Sequence, residues 1–352
     1  MMDRRLLAIL AAAIACTSGR LEAQDKETHD GYVDFKKGDV FIVDGQPVIA
    51  GPKTKLKGAK GVAEIGVGWS VKVEGSRDKA GLLVAGKLEA KPNGMEKGEA
   101  EVLAASDQAE KLWVEKKMMY IPADSGKIHK IGDILESGPY VQRARRLMDR
   151  VRPDYIPADK LRVRVVKTKD WNASAMANGA VWVYTGLMDA MDDDELAIVM
   201  GHELAHYSYE HIRRNQSRGG LGSILGAGAQ VAGAVIGGTA GALAQIGGQL
   251  GASALLSGYS REYEDQADRV GLRYVYEAGY DVTKGPALWG KFKEKYGETD
   301  KLSNFFTGDH SRPTERIKNI QREIDRNYDP PPEGARADAT KQPATGSAAG
   351  VR

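Results

Sequence analysis

The chain holds one cysteine in 352 residues, Cys16. A disulfide within one molecule is therefore excluded, and so is a zinc site built on several thiolates. Neither sign of charge is in excess: 50 lysines and arginines stand against 48 aspartates and glutamates, a formal net charge of +2. That balance lacks the basic footprint of a nucleic-acid-binding protein, and no nucleic-acid partner is expected. The basic run Arg143, Arg145, Arg146, Arg150 and Arg152 alternates with Val141, Ala144, Met148 and Val151 at helical spacing, and reads as a solvated helix face. Long charge-free apolar stretches are scarce. Residues 6–15 form an apolar run of ten behind Arg4 and Arg5, too short to span a bilayer but suited to the core of a secretory signal.

Two readings of that segment stand side by side. Residues 1–23 are a signal peptide cut after Ala23, releasing a soluble product. Alternatively, Ala13-Ile14-Ala15-Cys16 is similar to a bacterial lipobox, and the signal ends before a lipid-bearing Cys16. Both predict a bacterial periplasmic or cell-envelope location. Residues 31–106 carry short apolar strands punctuated by glycine, with an Asp44-Gly45 hairpin signal between two of them. A small OB-like β-barrel domain is expected there. Residues 107–136 read as a linker or β extension. Residues 219–258 are glycine- and alanine-rich without a charged residue, and suggest small-residue helices that meet an envelope protein or a membrane surface. Residues 329–352, proline- and alanine-rich, read as a disordered tail.

The run Met200-Gly201-His202-Glu203-Leu204-Ala205-His206 carries the chemistry. Residues four apart share one helix face, so His202 and His206 can offer two imidazoles to one zinc ion, with Glu203 beside the open coordination position. The spacing alone also fits two packed or solvent-facing histidines. Acidic residues at 192–195 suit the start of that helix, which is expected to run to about Arg214. Upstream, residues 171–177 read as an extended segment, Asn178-Gly179 as a turn, and residues 180–184 as the return strand. A catalytic zinc wants a third protein ligand, and Glu262, Glu264, Asp265 and Asp268 all compete for that place.

Residues from about 140 to 326 resemble the HtpX/BepA-type zinc metallopeptidases, the gluzincin family that includes the CAAX prenyl protease. The resemblance rests on motifs occurring in order: Asn172-Ala173 with Val183-Tyr184-Thr185-Gly186-Leu187, Gly201-His202-Glu203-Leu204-Ala205-His206, Ser260-Arg261 with Glu264 and Ala267-Asp268, and His310 with Arg316-Ile317. It implies a mainly helical zincin-type domain over residues 137–328 with a small edge β-sheet; with the barrel expected ahead of it, which lies outside the resemblance, the fold class is α+β. It implies one Zn2+ per chain held by His202, His206 and Glu264, with Asp268 orienting a ligand histidine and Glu203 as general base. By the same resemblance His310 is a catalytic candidate, as a donor to the carbonyl oxygen or as an occupant of the open zinc position, and His211 is structural. Ser174, Ala175, Met176 and Ala177 would hold an extended polypeptide substrate by strand addition. The function implied is an exported zinc endopeptidase acting on unfolded or misassembled envelope proteins; the alternative is an envelope assembly chaperone with a mostly latent zinc site.

Overall fold

The computed structural model describes residues 26–78, 82–92, 99–122, 128–218, 261–297 and 313–328. The signal segment with Cys16, the stretch 219–258, His310 and the tail 329–352 lie outside the described residues.

Six strands form the first sheet: β1 (Glu27–Lys37), β2 (Val40–Val43), β3 (Gln46–Ile49), β4 (Lys55–Lys57), β5 (Ser70–Arg77) and β6 (Leu83–Lys91), in the order β3-β2-β1-β5-β6-β4. Strand β3 also pairs in parallel with β6 through Val48↔Leu83 and Ile49↔Val84. The hydrogen-bonded path β1–β2–β3–β6–β5 therefore returns to its start. The β2–β3 hairpin turns on Asp44 (φ 43) and Gly45 (φ 73), both in the left-handed region that a two-residue hairpin demands. Alternate residues such as Phe41, Val43, Val71, Val73 and Leu88 fill one interior.

Residues Glu99–Lys116 are a helix, α1, and not a linker or strand. Its apolar positions Val102, Ala105, Ala109 and Trp113 recur at helical spacing and are buried. Strands β7 (Met118–Pro122), β8 (Ile128–Leu135), β9 (Arg162–Lys167), β10 (Ala173–Ala175) and β11 (Ala180–Tyr184) form a second sheet, ordered β10-β11-β9-β8-β7. The β9–β11 pair is parallel and the rest are antiparallel. Strand β11 is buried along its whole length. Its period of two explains how: Ala180, Trp182 and Tyr184 face α1, with Trp113 meeting Trp182 edge-to-face at 5.3 Å, while Val181 and Val183 face the main helical core.

That helical core consists of α2 (Pro139–Val151), α3 (Thr185–Ala190), α4 (Asp193–Ser208), α5 (His211–Arg218), α6 (Arg261–Glu277), α7 (Gly285–Tyr296) and α8 (Pro313–Asn327). The arrangement is α+β, a helical C-terminal part following an N-terminal sheet. On α2 the arginines do more than face solvent: Arg143 donates to Asp193 at 2.7 Å and to the carbonyls of Met188 and Met191, pinning α2 to the start of α4. Among the described residues no helix is long and apolar enough to cross a membrane.

Candidate metal centre

Helix α4 begins at a capping box. Asp192 accepts from the Glu195 amide at 3.0 Å, and the Glu195 side chain accepts from the Asp192 amide at 3.1 Å. From Leu196 to His206 every residue is buried, so the helix runs through the middle of the fold with the His-Glu-x-x-His run at its inner end. Helix α6 crosses it where two glycines meet. A β-carbon on Gly201 would stand 2.8 Å from the Gly271 carbonyl oxygen, and one on Gly271 would stand 2.7 Å from the His202 nitrogen. Only hydrogen at both positions lets the backbones approach this closely, and the approach carries the first turn of α6 to the histidines.

The consequence is a buried cluster of His202, His206 and Glu264. The two Nε2 atoms lie 3.0 Å apart, and the Glu264 carboxylate oxygens lie 3.6 Å from His202 Nε2 and 3.3 Å from His206 Nε2. A tetrahedral ion with bonds of about 2.0–2.1 Å places its ligand atoms roughly 3.3–3.4 Å apart. The donor set, two imidazoles and a carboxylate, suits zinc chemistry. Charge points the same way. Glu264 and Asp268 are buried against the one guanidinium of Arg316, and Glu203 is buried beside the sheet edge; ionised, these groups carry an excess of negative charge that a divalent cation neutralises.

Asp268, one turn after Glu264 on the same face of α6, places Oδ1 2.9 Å from His202 Nδ1. A carboxylate there keeps the proton on Nδ1 and leaves Nε2 facing the cluster. Burial raises the Asp268 pKa, and the charge of Arg316 works against that rise. Arg316, on α8, is fully buried. It bonds Asp268 through Nε at 3.1 Å and also through Nη2, and its Nη1 lies 3.4 Å from Glu264. Its Nη2 lies at similar distances from both nitrogens of His202, 2.9 and 3.3 Å, which places it over the imidazole face. The guanidinium carbon also lies 3.5 Å from the centre of the Trp289 ring of α7. The role of Arg316 is not readable from the sequence, where it stands as one arginine of a strongly polar helix. Its occurrence in the quoted His310–Arg316 motif is the only signal.

The α4 helix stops at Ser208 instead of running to Arg214. Glu210 adopts a positive φ of 61, and α5 starts afresh at His211. In an unbroken helix a residue five positions on lies about 140° around the axis. The break instead folds His211 back, with Nδ1 3.0 Å from His206 Nδ1 and Nε2 2.8 Å from Gln266 Oε1. Burial pushes the His211 pKa well below the ordinary histidine range, and the neighbouring His206 adds to the fall.

Glu203 lies beside the sheet edge. Its Oε2 accepts the amide of Ala175 at 2.9 Å. Strand β10 is terminal in its sheet, and its register with β11 (Ala173↔Val183, Ser174↔Trp182, Ala175↔Val181) turns the backbone groups of Ala173 and Ala175 outward. Ala173 and Ala175 are both buried, and the outward amide of Ala175 is the one that Glu203 accepts, while Ser174 turns its backbone to Trp182. Met176 and Ala177 lie beyond the strand, buried in the turn that reverses at Gly179, with the Trp182 indole donating to Met176 Sδ at 2.9 Å.

Comparison with known proteins places the chain among metallopeptidases. The model for peptidase family M48 matches residues 140–324, and a domain of unknown function (DUF5666) matches residues 30–89. Metalloprotease LoiP of Escherichia coli (strain K12) is 36% identical over 162 residues, 45% of this chain and 60% of that protein. Metalloprotease YcaL of the same organism is 33% identical over 166 residues, 46% of this chain and 61% of its own length. A putative beta-barrel assembly-enhancing protease of Vibrio cholerae is 29% identical over 170 residues, 47% of this chain and 35% of that protein. The chain thus spans about three fifths or less of these relatives.

Proposed function

The chain belongs to peptidase family M48, and from that premise we propose that it is an exported zinc-dependent endopeptidase that cleaves unfolded or misassembled envelope polypeptides. His202, His206 and Glu264 would hold the ion, and Asp268 would orient His202. A zinc ion bound there supplies Lewis acidity, polarising the scissile carbonyl and acidifying water. The remaining work belongs to the chain's own groups. Glu203 accepts the proton of the attacking water and delivers it to the leaving nitrogen. The Ala175 amide orients the Glu203 carboxylate, and strand β10 receives the substrate as an added strand beside that base. His310 is proposed as the donor to the developing carbonyl anion.

The observation that carries this reading is the 2.9 Å bond from the edge strand to Glu203, next to the three-donor cluster. A structural zinc site is closed by four ligands and has no use for a carboxylate held at a sheet edge. The envelope substrate class leans on the signal-like N-terminus and on the relative named as a beta-barrel assembly-enhancing protease. We read the returning strand path β1–β2–β3–β6–β5 as the small OB-like barrel. The test compares zinc content and casein cleavage in the wild type and Glu203→Gln. Zinc is expected to stay while cleavage disappears. Equal cleavage by both proteins removes Glu203 from the mechanism. Client binding with no cleavage by either protein favours the chaperone alternative.

A further inference from the structure

The N-terminal sheet meets the peptidase part through a partly buried polar seam. Tyr209 donates its hydroxyl to the Val33 carbonyl at 3.0 Å, and the Arg214 guanidinium lies 4.2 Å over the Tyr32 ring. Arg269 approaches the carboxylates of Asp34 and Asp44 at 3.8 and 4.0 Å. Through this seam runs a chain of hydrogen bonds ending at the metal centre. The Gln266 amide nitrogen donates to Asp44 Oδ1 at 2.8 Å and to Asp34 Oδ1 at 3.3 Å. Gln266 Oε1 meets His211 Nε2 at 2.8 Å, and His211 Nδ1 meets His206 Nδ1 at 3.0 Å. His206 Nε2 is one of the three converging donor atoms.

Each link dictates the next. An ionised carboxylate only accepts, so Asp34 and Asp44 must face the NH2 group of Gln266. The amide then turns its oxygen to His211, which has to present Nε2–H. A neutral imidazole protonated on Nε2 carries its lone pair on Nδ1, and there it accepts the Nδ1–H of His206. His206 is left with its lone pair on Nε2, the atom that faces His202 and Glu264. We propose that Asp34 and Asp44 are positioning residues for the metal centre: carboxylates of the N-terminal sheet, acting through Gln266 and His211, hold His206 in the tautomer that binds metal. This rests on the zinc-site reading and gives the N-terminal sheet a part in it.

The test uses the full chain and two readouts besides activity. Zinc affinity is measured by competition with a chromophoric chelator, and imidazole tautomers are read by 15N NMR on the zinc-free protein. The double variant Asp34→Ala/Asp44→Ala is expected to lose about tenfold in zinc affinity, within the range for groups that orient a ligand histidine. Its His206 signal is expected to move towards the Nε2–H form. Asp44→Asn keeps an acceptor oxygen, and Tyr209→Phe cuts the seam away from the relay. Both are expected to stay within about twofold of wild type. Should the double variant not fold, Asp44→Ala alone carries the test, since that side chain is 34% exposed, with a loss of about threefold expected. Wild-type affinity and unchanged tautomers in the alanine variants overturn the relay, as does an equal loss in Tyr209→Phe. Equal zinc binding by wild type and His202→Ala would instead overturn the metal site itself, so the two failures are told apart.

Discussion

A methyl group added at Gly271 would stand 2.7 Å from the His202 nitrogen, and 2.8 Å from the Gly201 carbonyl carbon and the His202 Cα. All three are backbone atoms of α4, so no rotamer change relieves the clash. Returning the closest contact to about 3.4 Å opens the α4–α6 crossing by roughly 0.7 Å. Ligand distances in a metal site tolerate about 0.2 Å. Glu264 on α6 would then stand off from an ion held by the two α4 histidines. Overpacking costs about 1–3 kcal/mol, and contact with backbone belongs at the upper end. The better helix propensity of alanine offsets about 1 kcal/mol, leaving a net loss of about 1–2 kcal/mol. Gly290, within α7, has nothing within 4 Å of its added β-carbon, and Gly290→Ala is expected to gain about 0.5–1 kcal/mol. The assay is urea denaturation of chelator-treated protein, comparing midpoints at a common slope, with zinc titration alongside. Gly271→Ala is expected to lose at least about tenfold in zinc affinity. A stability gain matching that of Gly290→Ala, with zinc affinity unchanged, refutes the close-crossing argument.

Two further outcomes are expected from buried charge. Arg316→Met strips the guanidinium from Asp268 and Glu264, and should destabilise the metal-free protein by about 3–5 kcal/mol; a loss under about 1 kcal/mol in denaturant titration would show that Arg316 is not their counter-charge. Burial, opposed by the charge of Arg269, raises the Asp34 pKa from 3.8 to about 6. The folded state then holds that proton more tightly than the unfolded chain does. Its contribution is complete below pH 3.8 and is lost as pH rises through about 6. The stability of wild type minus that of Asp34→Asn should therefore fall by roughly 2–3 kcal/mol between about pH 4 and about pH 7. A flat difference across that range counts against a buried, ionising Asp34.

Features governed by short-range geometry were legible in the chain. The spacing of His202 and His206 says that two imidazoles share a helix face, because the helical period is local. Asp192 with Glu195 marks the start of α4, and Asp44-Gly45 marks a hairpin, because each satisfies its own backbone within a few residues. Helix α1 carried an equally local signal in Val102, Ala105, Ala109 and Trp113. The expected boundary between the barrel at 31–106 and the linker or β extension at 107–136 falls inside this helix, because the strand pattern is carried into a segment whose apolar period is helical. The end of α4 was not legible. Nothing in Tyr209-Glu210-His211 forbids a helix, and the break at Glu210 is stabilised by what His211 reaches once folded back.

By itself, then, the sequence determined that a helix presents two histidines and a glutamate, that an acidic pair lies on one face of a later helix, and that short strands precede both. The tertiary structure alone decided that Gly201 and Gly271 let those two helices touch, and so which carboxylate meets the histidines. It also decided that Arg316 balances the cluster from α8, that Ala175 holds Glu203, and that Asp34 and Asp44 reach His206 through two intermediaries. The division has a physical cause. Periodicity and capping are settled by hydrogen bonds within a few residues, whereas a metal centre depends on how closely distant backbones approach, and that distance is set by packing between segments far apart in the chain.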